Sequence, residues 1–268
     1  MSDKKAVSIS KDKSNKTAEM PFYAHFVELR SRLIKCIVAV FVGALVCFGF
    51  AAKLYGFLAL PVYDALPESS RELVFLNPVE PFFVYLKVSL LAGLILALPF
   101  VFFQIWRFIA PGLYAHERRA IIPLVLVSTV IFLAGAAFCY GLILPLGLKA
   151  LIAAGMTEEF AATAQISMAN YYDLVIKLIL AFGIVFEMPV FSYFLTKLGV
   201  ITHRTLQQYW RFAVVGIFII AAILTPPDVI SQVCLATPMC LLYVVSIWVA
   251  KLAGRGQVNS FPSNKEGE

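Results

Sequence analysis

The sequence predicts an all-α integral membrane protein of six transmembrane helices, with both termini on the cytoplasmic side. Three observations carry that prediction. Residues of the set Ala, Val, Ile, Leu, Met, Phe, Trp, Tyr and Cys make up 61% of the 268-residue chain, and mean hydropathy is +0.86. Charged residues are 14%, against roughly a quarter in soluble proteins. Uncharged runs of bilayer-crossing length recur along the chain. A soluble domain of this size lacks the interior to hide so much apolar surface. The composition excludes a secreted disulfide scaffold, a disordered protein and an ordinary cytosolic enzyme.

The elements follow in order from the runs between charges. The first, Cys36–Ala52, is preceded by Met20–Lys35, an amphipathic helix with Phe22, Phe26, Leu29 and Leu33 on one face. Val88–Trp106 and Ala120–Leu148 are the second and third, and the third is long enough to tilt. Leu178–Thr196 is the fourth and carries one charge, Glu187, at its centre. Phe212–Pro227 is marginal at 16 residues and is parted from Val229–Ala250 by Asp228 alone. These last two spans form a short hairpin suited to a locally thinned bilayer. Transmembrane strands would show alternating segments of about ten residues, and the chain has none. Residues 53–81, with Pro61, Pro67, Pro78 and Pro81, read as an external loop, and 149–170 as another with a short surface helix. Residues 1–20 and 254–268 read as disordered cytoplasmic tails around a membrane domain over 21–253.

Orientation comes from the basic residues. Seventeen of the 22 Lys and Arg fall on the side that includes both termini, leaving Lys53, Arg71, Lys87, Lys149 and Lys177 opposite. The net charge of +6 then reflects topology and a basic face toward anionic membrane lipid, not nucleic-acid binding. Some twenty polar residues precede the first apolar run, so no cleavable signal peptide is expected. The five cysteines lie in or beside spans, which argues against disulfides, and none has zinc-site spacing.

Little enzyme chemistry is legible. The chain has no HExxH, GxSxG, Walker loop or dinucleotide fingerprint, so no catalytic residue, metal or cofactor is expected. What stands out is carboxylates in unusual places. Glu28 sits four residues before Arg32, which makes a surface ion pair worth about 0.2–0.5 kcal/mol the plain alternative to a binding role. Glu117, in a connection rich in Arg, is either a solvated loop charge or part of a docking point for an arriving cation. Glu187 lies mid-span, where an unpaired charge costs several kcal/mol, so function is the default reading. The structural alternative is a glutamic acid hydrogen-bonded to Gln104 or Gln232. Pro99, Pro189 and Pro238 fall within spans and predict kinks.

Five blocks of sequence resemble the TatC family, the multi-spanning core of the twin-arginine protein translocase. They are His25-Phe-Val-Glu28-Leu-Arg30-Ser-Arg32-Leu33 and Phe75-Leu-Asn-Pro78-Val-Glu80-Pro-Phe82. The third is Gln104-Ile-Trp106-Arg-Phe108-Ile-Ala-Pro111-Gly-Leu-Tyr114-Ala-His-Glu117-Arg118-Arg119. Phe182-Gly183-Ile-Val-Phe186-Glu187-Met-Pro189-Val and Thr225-Pro-Pro227-Asp228-Val-Ile-Ser231-Gln232 complete the set. The blocks keep the family's order across about residues 21–250. Val244 departs from it, standing where many members place an acid.

The resemblance implies a cupped six-helix bundle in a bacterial inner membrane. It would recognise folded cargo whose N-terminal signal peptide carries two adjacent arginines. Glu28 and Glu117 would form the cytoplasmic receptor site, with Arg30, Phe108, Arg118 and Arg119 nearby. Glu187 would lie on the concave intramembrane face, and Asp228 and Gln232 in the last hairpin, where small single-span TatA/TatB-type subunits dock. A homo-oligomer within the complex and use of the proton gradient are likewise implied. The competing reading is a proton-coupled secondary transporter of a small solute using Glu187. It predicts repeated halves with paired broken helices, which the sequence lacks, and gives cytoplasmic Glu28 and Glu117 no task.

Overall fold

The computed structural model describes residues 20–66, 72–109, 121–155, 165–225 and 229–258. Helices dominate. The first, α1 (Met20–Phe48), joins the amphipathic segment and the first span in one rod. Then come α2 (Ala51–Ala65), the two-residue strand β1 (Leu73–Val74) and α3 (Glu80–Ile109). Next is α4 (Ile121–Phe138), which passes through a π-helical turn, Cys139–Ile143, into α5 (Leu144–Gly155). Strand β2 (Ile166–Ser167) leads into α6 (Met168–Phe186) and α7 (Met188–Lys197). The short α8 (His203–Gln208), α9 (Trp210–Leu224) and α10 (Val229–Val258) complete the described residues.

Five of these stretches are long and apolar enough to cross a membrane, and α9 is a shorter sixth at 15 residues. The helices outrun the uncharged sequence because flanking polar residues continue the same turns into the interface: α3 begins eight residues before Val88. Shortness within the last pair resides in α9, since α10 runs for 30 residues and reaches Val258.

One feature corrects the sequence reading. Residues 51–65 are not loop but helix α2, with Ala59, Pro61 and Val62 buried. Pro61 removes the N–H that would bond the Phe57 carbonyl, and Tyr140 donates its hydroxyl there instead, at 2.6 Å. Tyr171 and Tyr172 donate to the Leu58 and Tyr55 carbonyls at 2.7 and 2.8 Å, so three phenols moor α2 to the bundle. Beside it β1 pairs in parallel with β2, Leu73 opposite Ile166. Of the three span prolines, Pro99 and Pro238 lie inside continuous helices, α3 and α10, and Pro189 lies at the start of α7 beside its break from α6.

The core has two parts. The larger gathers Val62, Val84, Val88, Cys139, Tyr172, Phe182 and Met239. The smaller packs Trp106 against Phe102, Val125, Phe132, Val190 and Phe194, nearer the ends of α3 and α7. Helix α1 stands at the margin: 6% of its span is buried, against 39% for α3. Phe26, Leu33, Ile37, Phe41 and Leu45 project outward, as a face in lipid requires.

Candidate functional site

Helix α1 meets α3 where glycine faces glycine. A β-carbon on Gly43 would stand 2.8 Å from the Gly93 carbonyl oxygen, and one on Gly93 would strike the Ala44 backbone. Only hydrogen at both positions allows this approach, the small-residue contact typical of membrane helices. From the crossing, Arg32 lies 11 residues back along α1 and Gln104 lies 11 residues forward along α3. Eleven residues are about three turns, so both side chains return to the crossing face roughly 16 Å away.

There they meet. Arg32 Nη1 donates to Gln104 Oε1 at 3.1 Å. Its Nε and Nη2 both donate to Glu28 Oε1, Nε at 3.0 Å, which realises the pair expected from the four-residue spacing. Gln104 is buried, and the Arg32 side chain is 14% exposed against 39% for Glu28. The carboxylate therefore lies outermost. Arg30 is exposed nearby on the same helix and Phe108 is half-buried near the end of α3, one residue after an exposed Arg107. Arg107 lies over the Phe103 ring at 5.9 Å. Glu117, Arg118, Arg119 and Asp228 fall outside the described residues.

The elements around this face are closed by standard signals. Gly199 takes φ +72, and the Gly199 and Val200 amides bond the Thr196 and Leu195 carbonyls, a Schellman end to α7. Thr202 caps α8 by accepting from the Thr205 amide at 3.2 Å. Tyr243 of α10 donates to the Leu206 carbonyl at 2.8 Å and fixes α8 against the bundle.

Glu187 occupies the joint between α6 and α7. Its amide bonds the Ile184 carbonyl at 3.1 Å, a tightened turn just before Pro189, which has no N–H to give. The residue is 2% exposed, and neither carboxylate oxygen has a hydrogen bond among the described residues. Ser128 and the Phe132 backbone face it without reaching hydrogen-bond geometry. Ser128 instead accepts from the Trp106 indole at 3.1 Å. The expected partners are engaged elsewhere: Gln104 with Arg32, and Gln232 with the Phe218 carbonyl at 3.1 Å. The alternative of an amide partner for Glu187 is thus overturned. Glycine again brings helices together here, since a β-carbon on Gly183 would strike the Phe132 ring.

Arg32 and Gln104 are the residues that sequence reasoning undervalued. Arg32 was legible only as a surface partner, and the 72 residues separating the pair leave no local signal for its contact with Gln104. Glycines within apolar runs were the usable clue to the crossing that aligns them. No group of three or more His, Cys, Asp or Glu suited to a metal occurs among the described residues.

Comparisons with known proteins converge. The profile of the family described as Sec-independent protein translocase protein (TatC) matches residues 24–238. The Sec-independent protein translocase protein TatC of Aquifex aeolicus (strain VF5) is 45% identical over 236 residues, 88% of this chain and 97% of the relative. Its counterpart in Campylobacter jejuni is 38% identical over 244 residues, covering 91% of this chain and 97% of the relative. A crystal structure described as the twin arginine translocase receptor TatC superposes with a TM-score of 0.78 at 46% identity, over 85% of this chain and 99% of the other. Five long apolar helices, a shorter sixth and this match over most of the sequence lead to one conclusion: the chain belongs to the TatC family of protein translocase subunits.

Proposed function

We propose that this chain is the receptor subunit of a twin-arginine translocase in a bacterial inner membrane, with both termini cytoplasmic. It binds signal peptides of folded cargo through Glu28 and Glu117, flanked by Arg30, Phe108, Arg118 and Arg119. One observation carries the reading: Glu28 is a partly exposed carboxylate, held in place, at the end of α1 that the basic residues assign to the cytoplasm. A guanidinium stays charged and presents a rigid donor fork, which a fixed carboxylate grips better than it grips an ammonium. The solved relative is itself described as a twin arginine translocase receptor.

In this reading residues 21–253 form the translocase domain between two tails. Asp228 and Gln232 mark the hairpin that receives TatA/TatB-type subunits, and Glu187 serves a step after signal binding. The proton gradient supplies the energy, and the chain itself is a receptor without catalysis. The solute-transporter alternative has no comparable support, since the family is one of protein translocases.

The test is photo-crosslinking of a twin-arginine signal peptide to the full chain in lipid, with the probe at Phe108 and a twin-lysine peptide beside it. Labelling by the arginine form that falls on Glu28→Ala is expected. Equal labelling by both peptides, or labelling that ignores Glu28→Ala, overturns the assignment.

A further inference from the structure

The turn from α8 into α9 gathers exposed groups that the proposed receptor site leaves unused. Tyr209, Trp210, Arg211 and Phe212 are consecutive and exposed. They line an open cleft of about 690 Å³, within the roughly 300–1,000 Å³ range of ligand sites. Gln207 and Gln208 form its α8 side and Val215 its α9 side. The Tyr209 and Phe212 rings stand 6.2 Å apart. Arg211 has no ion pair among the described residues, and no acidic residue lines the cleft. The chain itself sets the level of this cleft. Helix α9 is the short sixth span and begins at Trp210, whereas α8 belongs to the connection on the side that holds most of the basic residues. The cleft therefore straddles the layer where lipid headgroups lie.

We propose that this cleft binds the headgroup of an anionic phospholipid, with Arg211 on its phosphate. A guanidinium fork takes two phosphate oxygens at once. Trp210 and Tyr209 each join an apolar ring to a polar N–H or O–H, which suits them to the boundary between headgroup and acyl chain. Phe212 and Val215 continue the wall to span depth, against the first carbons of an acyl chain. An acidic protein segment would match Arg211 but would bring polar backbone to that depth, where unpaired groups are costly. A zwitterionic lipid carries its own ammonium beside the phosphate, so the lone cation favours the anionic lipid. Such a lipid also fixes the depth of α9. Fifteen residues of helix reach about 22 Å, against a hydrocarbon core of about 30 Å. A span held at its Arg211 end takes the whole mismatch at its other end, so the bilayer thins from the far leaflet.

Tryptophan quenching reads the occupant directly. The chain has three tryptophans, of which Trp106 is buried, so Trp248→Phe leaves Trp210 as the only exposed indole. The full chain with that substitution is placed in phosphatidylcholine vesicles holding a minor fraction of brominated phosphatidylglycerol or, in parallel, brominated phosphatidylcholine. Brominated phosphatidylglycerol is expected to quench Trp210 more strongly, and Arg211→Gln to lower its binding constant relative to phosphatidylcholine by about fivefold. Arg204→Gln removes an exposed basic charge that does not line the cleft, and is expected to lower the ratio by less than about twofold. Equal losses in the two variants mark a diffuse surface potential and overturn the site. A preference that ignores Arg211→Gln, or none to begin with, overturns it too. Quenching of Trp210 by neither lipid means that a second copy of this chain covers the cleft, which likewise overturns the assignment.

Discussion

Glu28 and Glu187 are two carboxylates of one membrane protein in opposite circumstances. Glu28 is partly exposed at a helix end, with a guanidinium against it that a buried amide steadies from behind. Glu187 is buried at a helix joint with both oxygens lacking a hydrogen bond among the described residues. The first arrangement is satisfied and still presents its charge outward. The second carries a cost of about 1–3 kcal/mol for a buried polar group left unpaired. A bundle as well provided with hydroxyl and amide groups as this one could have paired it; Ser128, a hydroxyl that faces it, accepts from the Trp106 indole and bonds neither oxygen. The contrast separates a region assembled to hold a fixed charge from one whose polar group is left unsatisfied by its own fold.

The sharpest way to part the two regions is to damage the crossing that builds only one of them. Gly93→Leu places a side chain inside the α1 backbone, and about 3 kcal/mol or more of destabilisation is expected from such overpacking. Thermal unfolding in lipid should fall markedly, and peptide binding should fall with it as α1 and α3 are forced apart. Binding retained at wild-type strength would show that Glu28 does not depend on this alignment. Next in size is Glu28→Gln, which removes the charge and keeps the shape. Signal-peptide affinity should drop by about 30-fold, the loss of roughly 2 kcal/mol of charge-assisted bonding. Glu187→Gln, by contrast, should leave affinity within about twofold, because the acid lies inside the bundle away from that face.

Much of this was legible before any coordinates, for a physical reason. Lipid forces each span to satisfy its own backbone, so apolar runs and charges locate the helices without knowledge of their packing. That logic failed at α2, where Pro61 and the flanking loop residues suggested irregular chain. The helix persists because Tyr140 of the π-helical turn supplies the one hydrogen bond that proline withdraws, and two tyrosines of α6 add bonds to neighbouring carbonyls. Pairing within the site divided the same way. Glu28 and Arg32 are four apart on one helix, so their contact is written in the local period. Arg32 and Gln104 meet only because two glycines let distant helices touch, and the surroundings of Glu187 depend on α4, far away in sequence.

The unsatisfied acid yields a prediction opposite in sign to most core substitutions. Glu187→Leu replaces a buried carboxylate with an apolar side chain of similar size, among Phe132, Val190 and other apolar neighbours. Removing an unpaired polar group in favour of an apolar one is expected to stabilise by about 1–2 kcal/mol, and thermal unfolding should shift upward. Export of a twin-arginine cargo by vesicles carrying the variant and its partner subunits should decline, while signal-peptide affinity stays near wild type. A variant that is both less stable and fully active would mean that Glu187 is paired in the working protein and serves the fold.

The smallest effect belongs to a pair that looks stronger than it is. Lys87 of α3 and Asp173 of α6 approach to 2.6 Å, closer than the Nε contact of Arg32 with Glu28, and so invite a stabilising role. Both side chains are about 40% exposed, and no further hydrogen bond ties either one among the described residues. Water competes for both charges, and two long side chains lose rotamer freedom in holding one geometry. Lys87→Met should therefore change unfolding stability by no more than about 0.5 kcal/mol and leave peptide affinity untouched. The comparison with Arg32 is then one of surroundings and not of distance, because the bundle has largely taken the Arg32 guanidinium out of water. A loss on Lys87→Met well above about 1 kcal/mol would place the rigidity of the molecule at its opposite end, in the join between α3 and α6.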